Sequence, residues 1–155
     1  MAESQFDSID RLAVELVRRQ HADRARSIED GARADLLARL FAEQIDSWWD
    51  RFWSAISSDI ERFNDKAGGQ HVFAEMDPTQ IVIRPMRMRG KTTTIKLSRE
   101  QRCVFTEEGD EGGGGVIRFA VNAGNRAIVI ADGYASSPEA FGRSIVETFI
   151  KEKLL

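Results

Sequence analysis

Ile60-Glu61-Arg62-Phe63-Asn64-Asp65-Lys66-Ala67-Gly68-Gly69-Gln70-His71-Val72-Phe73-Ala74-Glu75-Met76-Asp77-Pro78-Thr79-Gln80-Ile81-Val82-Ile83-Arg84 is the stretch in which the rhythm of the chain changes. Before Gly68-Gly69 apolar residues recur every three or four positions, the spacing of one helical face. After it they alternate, the spacing of a strand with one covered side. A glycine pair with no side chain to hold a helical turn separates the two regimes. The chain therefore reads as helices first and a sheet second.

Working toward the N-terminus, residues 32–65 contain no proline or glycine. Projected at 100° per residue, Ile45, Trp48, Trp49, Phe52, Trp53, Ile56, Ile60 and Phe63 fall within an arc of about 140°, wider than a coiled-coil seam and suited to a core. Leu36 and Leu40 lie on the opposite side and ask for a second partner. Phe6, Ile9, Ala13, Leu16 and Val17 form a stripe that supplies one. Ser27 and Asp30 resemble a capping box, and Gly31 follows. These features predict a break near residues 26–31 and a helical hairpin over 1–66.

Working toward the C-terminus, strands are predicted at about 70–76, 80–86, 91–98, 101–107, 115–122 and 126–132. Asp77-Pro78 and Asn122-Ala123-Gly124-Asn125 carry turn chemistry. The intervals are too short for crossover helices, so neighbours pair antiparallel in a meander. Ile81 and Ile83, Ile95 and Leu97, Cys103 and Phe105, Ile117 and Phe119, and Ile128 and Ile130 are predicted to share the face that the helices cover. Ser136 or Ser137 then caps a last helix over 136–153, with Pro138 at its first position and Phe141, Ile145 and Phe149 along one side. The expected fold is a single α+β domain over 1–155: a helical hairpin, a six-stranded antiparallel sheet over 70–132, and a C-terminal helix on the same sheet face.

Composition fits that size. Of 155 residues, 42% are hydrophobic and 30% charged, which excludes collagen and simple disorder. A chain this long buries enough surface to fold without metal or disulfide. The lone Cys103 forms no intrachain disulfide, the opening Met1-Ala2-Glu3-Ser4-Gln5 is polar and acidic where a signal peptide is basic and then apolar, and no apolar run approaches a bilayer span. The expectation is a cytoplasmic protein with no membrane contact. Thirty-four helical residues would span about 50 Å against about 23 Å for a seven-residue strand. A second helix that long either breaks or seeks another surface, and Trp48, Trp49 and Trp53 would be buried there, in a homodimer.

Charge is the main functional signal. Residues 80–104 hold seven basic side chains (Arg84, Arg87, Arg89, Lys91, Lys96, Arg99, Arg102) and one acid, Glu100, so this window carries +6 and the rest of the chain −9. Arg84, Lys96, Arg102 and Arg118 fall opposite the apolar parity, interleaved with Val82, Met86, Val104 and Val129. They would form a basic column across the exposed sheet face. Such a column serves as a solvated face that discourages edge pairing, as an anion or nucleic-acid surface, or as a protein interface. Nucleic acid is disfavoured, because the exposed parity offers no aromatic ring for base stacking and the net charge is −3.

No catalytic constellation stands out. Gly90-Lys91-Thr92 lacks the earlier glycine of a phosphate-binding loop, since Pro85 stands there, and a β-branched run follows it. Glu107, Glu108, Asp110 and Glu111 beside four glycines match no calcium loop and read as a mobile hairpin. His21 and His71 have no neighbouring ligands for zinc, with His21 solvated and His71 at a strand edge. Cys103 reads as a small core residue without an activating base. No cofactor or metal is implied. The expected function is binding of an acidic protein or peptide through the basic sheet face. The alternative is a small-molecule binder or enzyme with a cavity between sheet and helices, lined by Trp48, Trp49, Trp53, Phe119 and Met76.

Overall fold

The computed structural model describes residues 2–87, 91–109, 114–131 and 137–155, with side chains from Asp7 onward. The chain divides into two compact units, Met1–Arg39 and Leu40–Leu155. Secondary structure runs α1 (Ala2–Ala67), β1 (Val72–Asp77), β2 (Gln80–Pro85), β3 (Thr93–Ser98), β4 (Cys103–Glu108), β5 (Val116–Val121), β6 (Ile128–Ile130) and α2 (Pro138–Lys153).

The expected hairpin over 1–66 is absent: α1 is one uninterrupted helix of 66 residues. Gly31 sits inside it with open space around its Cα. A glycine in a helix interior costs only about 1 kcal/mol relative to alanine, and without a proline nothing forces a break. In the first unit, Ile9, Leu12, Leu16, Val17 and Ile28 are all at least half exposed. Pairs one turn apart, Asp7 with Arg11 at 3.1 Å and Glu15 with Arg19 at 3.2 Å, add local support.

In the second unit the glycine pair ends α1 as its sequence implies. Gly68 takes φ +76°, a left-handed conformation. Its N–H donates to the Asp65 carbonyl at 3.4 Å, and that of Gly69 donates to the Asn64 carbonyl at 3.0 Å. This is a Schellman cap. The Asn64 side chain then grips the incoming strand. Its Oδ1 accepts from His71 N–H (3.0 Å) and Val72 N–H (3.1 Å), and its Nδ2 donates to the Val72 carbonyl (3.0 Å).

The six strands form one antiparallel meander in sequence order. Between β1 and β2, the Asp77 carboxylate accepts from Thr79 N–H, Thr79 Oγ1–H and Gln80 N–H. Those bonds to Thr79, followed by Gln80, hold its pKa below the ordinary value. Between β5 and β6, Asn122 Oδ1 accepts from Arg126 and Ala127 N–H while Asn125 adopts φ +56°. At the far edge, Gln44 of α1 repeats the Asn64 grip. Its Nε2 donates to the Arg126 carbonyl (2.7 Å) and its Oε1 accepts from Ile128 N–H (3.0 Å). One helix therefore binds the backbone of both outermost strands, crossing the sheet from the start of β1 to the start of β6.

Ile81, Ile83, Ile95, Leu97, Phe119, Ile128 and Ile130 are buried as expected. Phe41, Ile45, Trp48, Trp49, Phe52, Ile56 and Ile60 of α1 are buried too. Phe119 meets the Trp48 ring edge to face at 4.9 Å. In β4 Cys103 is buried as expected, but the parity expected of Val104 and Phe105 is reversed. Val104 pairs with Leu97 and is fully buried, whereas Phe105 pairs with Lys96 and is half-buried on the opposite face. Helix α2 starts at a Ser137 cap whose Oγ accepts from Ala140 N–H at 3.1 Å, and the stretch 132–136 lies outside the described residues. Its buried side is Phe141, Gly142, Val146 and Phe149, with Val146 in the place expected of Ile145. It lies against α1: Phe141 stacks on Phe52 at 5.0 Å. Two ion pairs flank this contact, Arg51–Glu139 at 2.8 Å and Arg143–Asp59 at 3.3 Å.

Candidate functional site: the outer face of the sheet

Side chains directly opposite each other on paired antiparallel strands lie on one face. The register places Arg84 beside Phe73 of β1. The Arg84 guanidinium carbon lies 5.5 Å from the Phe73 ring centroid, and its Nη2 is 2.7 Å from Glu75 Oε2. Lys96 lies beside Phe105, with Nζ 3.1 Å from the Glu107 carboxylate. Arg118 is opposite Cys103 and exposed.

Arg102 does not join them. It lies in the turn before β4 with φ +51°, outside the strand expected to begin at 101. A left-handed residue there resets the pleat, so Val104 turns inward and leaves the expected column. The outer face is therefore a mixed surface instead of a basic column. Arg84 and Lys96 are each joined to a glutamate on the neighbouring strand. Phe73 (39% exposed), Val116 (48% exposed) and Phe105 supply apolar area among the charges. The expectation that this face lacks aromatic rings is also corrected, by Phe73 and Phe105. Alternation alone conceals Phe105, because Cys103-Val104-Phe105 is apolar at both parities.

The tryptophans separate. Trp48 and Trp49 are 4% and 2% exposed and belong to the core, with Trp49 Nε1 donating to the Asp77 carbonyl at 3.4 Å. Trp53 is half-buried and lines a cleft of about 400 Å³ between α1 and β1, shared with Ser57, Ile60, Glu61, Val72 and Ala74. Phe119 and Trp48, expected around a sheet–helix cavity, pack on each other, and Met76 stands partly exposed on β1.

Cys103 is 1% exposed. Burial pushes its thiol pKa up, while the nearby Arg118 charge acts in the opposite sense. A thiol held protonated is a poor nucleophile. His21 is exposed, and the exposed His71 ring sits 3.3 Å from the Ala67 carbonyl. Among the described residues no three His, Cys, Asp or Glu side chains gather as metal ligands. In the acidic glycine-rich segment, 110–113 fall outside the described residues, while Glu107 and Glu108 pair with Lys96 and Lys153. The phosphate-loop resemblance includes Gly90, also outside them. Among the described residues no helix is long and apolar enough to cross a membrane. Comparison with protein-family models, with curated proteins and with solved structures returned no match.

Proposed function

We propose that this chain is a protein-binding module that presents the outer face of its sheet to a partner. The observation that carries this reading is the company of Arg84. A guanidinium set between an exposed phenyl ring and a carboxylate is ordered before binding, and arginine, aromatic and methionine side chains are enriched at interface centres. Met86, 52% exposed, continues the patch beyond β2. Pre-ordering lowers the entropy lost when a partner covers the patch.

The charge balance refines the partner. Arg84, Lys96 and Arg118 share the face with Glu75, Asp77 and Glu107, so a partner of mixed character fits it better than an acidic one. Nucleic acid gains little from a face whose positive charges are largely compensated.

The test is quantitative affinity capture from cells with three forms of the chain: wild type, Arg84→Glu with Val116→Lys, and Arg143→Glu on α2 as a control. The expected result is a partner held by wild type and control and lost with the face variant. Capture unaffected by the face variant overturns the reading. So does a small metabolite that stabilises the chain while no protein is held.

A further inference from the structure

We infer that the outer edge of β1, which no other strand among the described residues pairs, takes up an extended segment of a partner protein bearing basic side chains, added to the sheet as a seventh strand. This surface lies beside the outer face and does not depend on its use.

The direction of the backbone groups comes from one hydrogen bond and the ladder rule. Met86 N–H donates to the His71 carbonyl at 3.1 Å, which puts 71 and 86 in the register of a hydrogen-bonded pair, with the His71 N–H diverted to Asn64 where the strand begins. In an antiparallel ladder such pairs alternate, so Phe73 and Glu75 also turn their N–H and C=O toward β2, and Val72, Ala74 and Met76 turn theirs away. Asn64 agrees independently, because its amide reaches both polar groups of Val72 from the other side. It occupies the place that a neighbouring strand would take, for one residue. Ala74 and Met76 continue the same outward row beyond it.

Edges are ordinarily blunted by shortness, proline, lysine or cover. The opposite edge, β6, is three residues long and gripped by Gln44. β1 has six residues and contains neither proline nor lysine. Alongside it runs the cleft of about 400 Å³ that Trp53, Ser57, Ile60 and Glu61 complete from the helix. Docking of an extended peptide on a sheet edge, with alternate side chains entering a flanking cleft, is an established mode of recognition.

Charge selects the occupant. Glu61 and Asp65 line the cleft, and Asp77 ends the strand. A second copy of β1 would bring these carboxylates together, and like charges in close apposition oppose pairing. A basic segment meets them with the opposite sign, and the Trp53 ring offers a face for a cation.

The probe is a peptide of alternating valine and lysine with blocked ends, compared with one of valine and glutamate. Binding is followed by fluorescence, and amide exchange is read residue by residue in the full chain. The expected result is binding of the lysine peptide alone, with slowed exchange at Ala74 and Met76. Ala74→Pro removes the outward N–H without touching the β2 ladder and should abolish binding. Glu61→Lys with Asp65→Lys should weaken it about tenfold while leaving the strand intact. The inference is overturned if neither peptide binds, if both bind equally, or if the lysine peptide binds without protecting Ala74 and Met76. It is also overturned if those amides become protected at high protein concentration alone, since a second copy would then hold the edge. Loss of outer-face capture leaves all these readouts unchanged.

Discussion

Replacing Asn64 by alanine tests the fold where helix passes to sheet. The side chain is 6% exposed and makes three hydrogen bonds, all to the backbone of His71 and Val72. Alanine leaves Val72 N–H and C=O without their partner, and Val72 itself is 1% exposed. An abandoned buried polar group costs about 1–3 kcal/mol. His71 N–H is only part-buried and regains a bond to water, so it adds little. Two buried groups, offset by partial rehydration through the adjacent cleft, give a loss of about 3 kcal/mol. For a unit of this size about 4 °C accompanies each kcal/mol, so the melting temperature should fall by about 12 °C. Denaturant titration gives the free energy, and amide exchange at Val72 locates the damage. A loss below about 1 kcal/mol with unchanged Val72 exchange would refute the argument, because that amide would then have no dependence on Asn64.

Two further outcomes follow from the packing of α2 on α1. A Cβ at Gly142 would lie 3.2 Å from Ala55 Cβ and 3.2 Å from the Phe52 carbonyl oxygen, so Gly142→Val should destabilise by about 1–3 kcal/mol, whereas Gly142→Ala stays close to neutral because helix propensity offsets the tight contact; thermal melts of the two decide it. The Glu139 carboxyl is held below its ordinary value chiefly by its hydrogen bonds from Arg51. A depressed folded pKa means that this contribution is present above the unfolded value and fades as pH falls through the folded one. Arg51→Ala should therefore remove a small acid-range slope of stability, no more than about 1 kcal/mol for so exposed a pair.

The helix end, the meander, the turns at Asp77 and Asn122 and the Ser137 cap were legible because each depends on residues close in sequence. The continuity of α1 is not legible in the sequence, because Ser27, Asp30 and Gly31 permit a break without requiring one. The parity of β4 was illegible for a different reason. Three consecutive apolar residues carry no alternation, and the register depends on the left-handed turn at Arg102. The charge column failed with it. Basic residues are visible along each strand, but their partners Glu75 and Glu107 come from neighbouring strands and need the register to be seen.

The two amide grips on α1 are unequal in reach, and this affects how the chain leaves the ribosome. Asn64 waits for Val72, eight positions on, whereas Gln44 waits for Ile128, 84 positions on. At about 5–20 residues per second the second closure trails the first by roughly 3–11 s, while hairpins form in about 1–10 μs. The nascent sheet thus grows hairpin by hairpin along a tethered helix, and for seconds its latest strand is a sticky margin awaiting the next. A ribosome-associated chaperone that shields that margin would raise the yield of folded chain without altering its final stability.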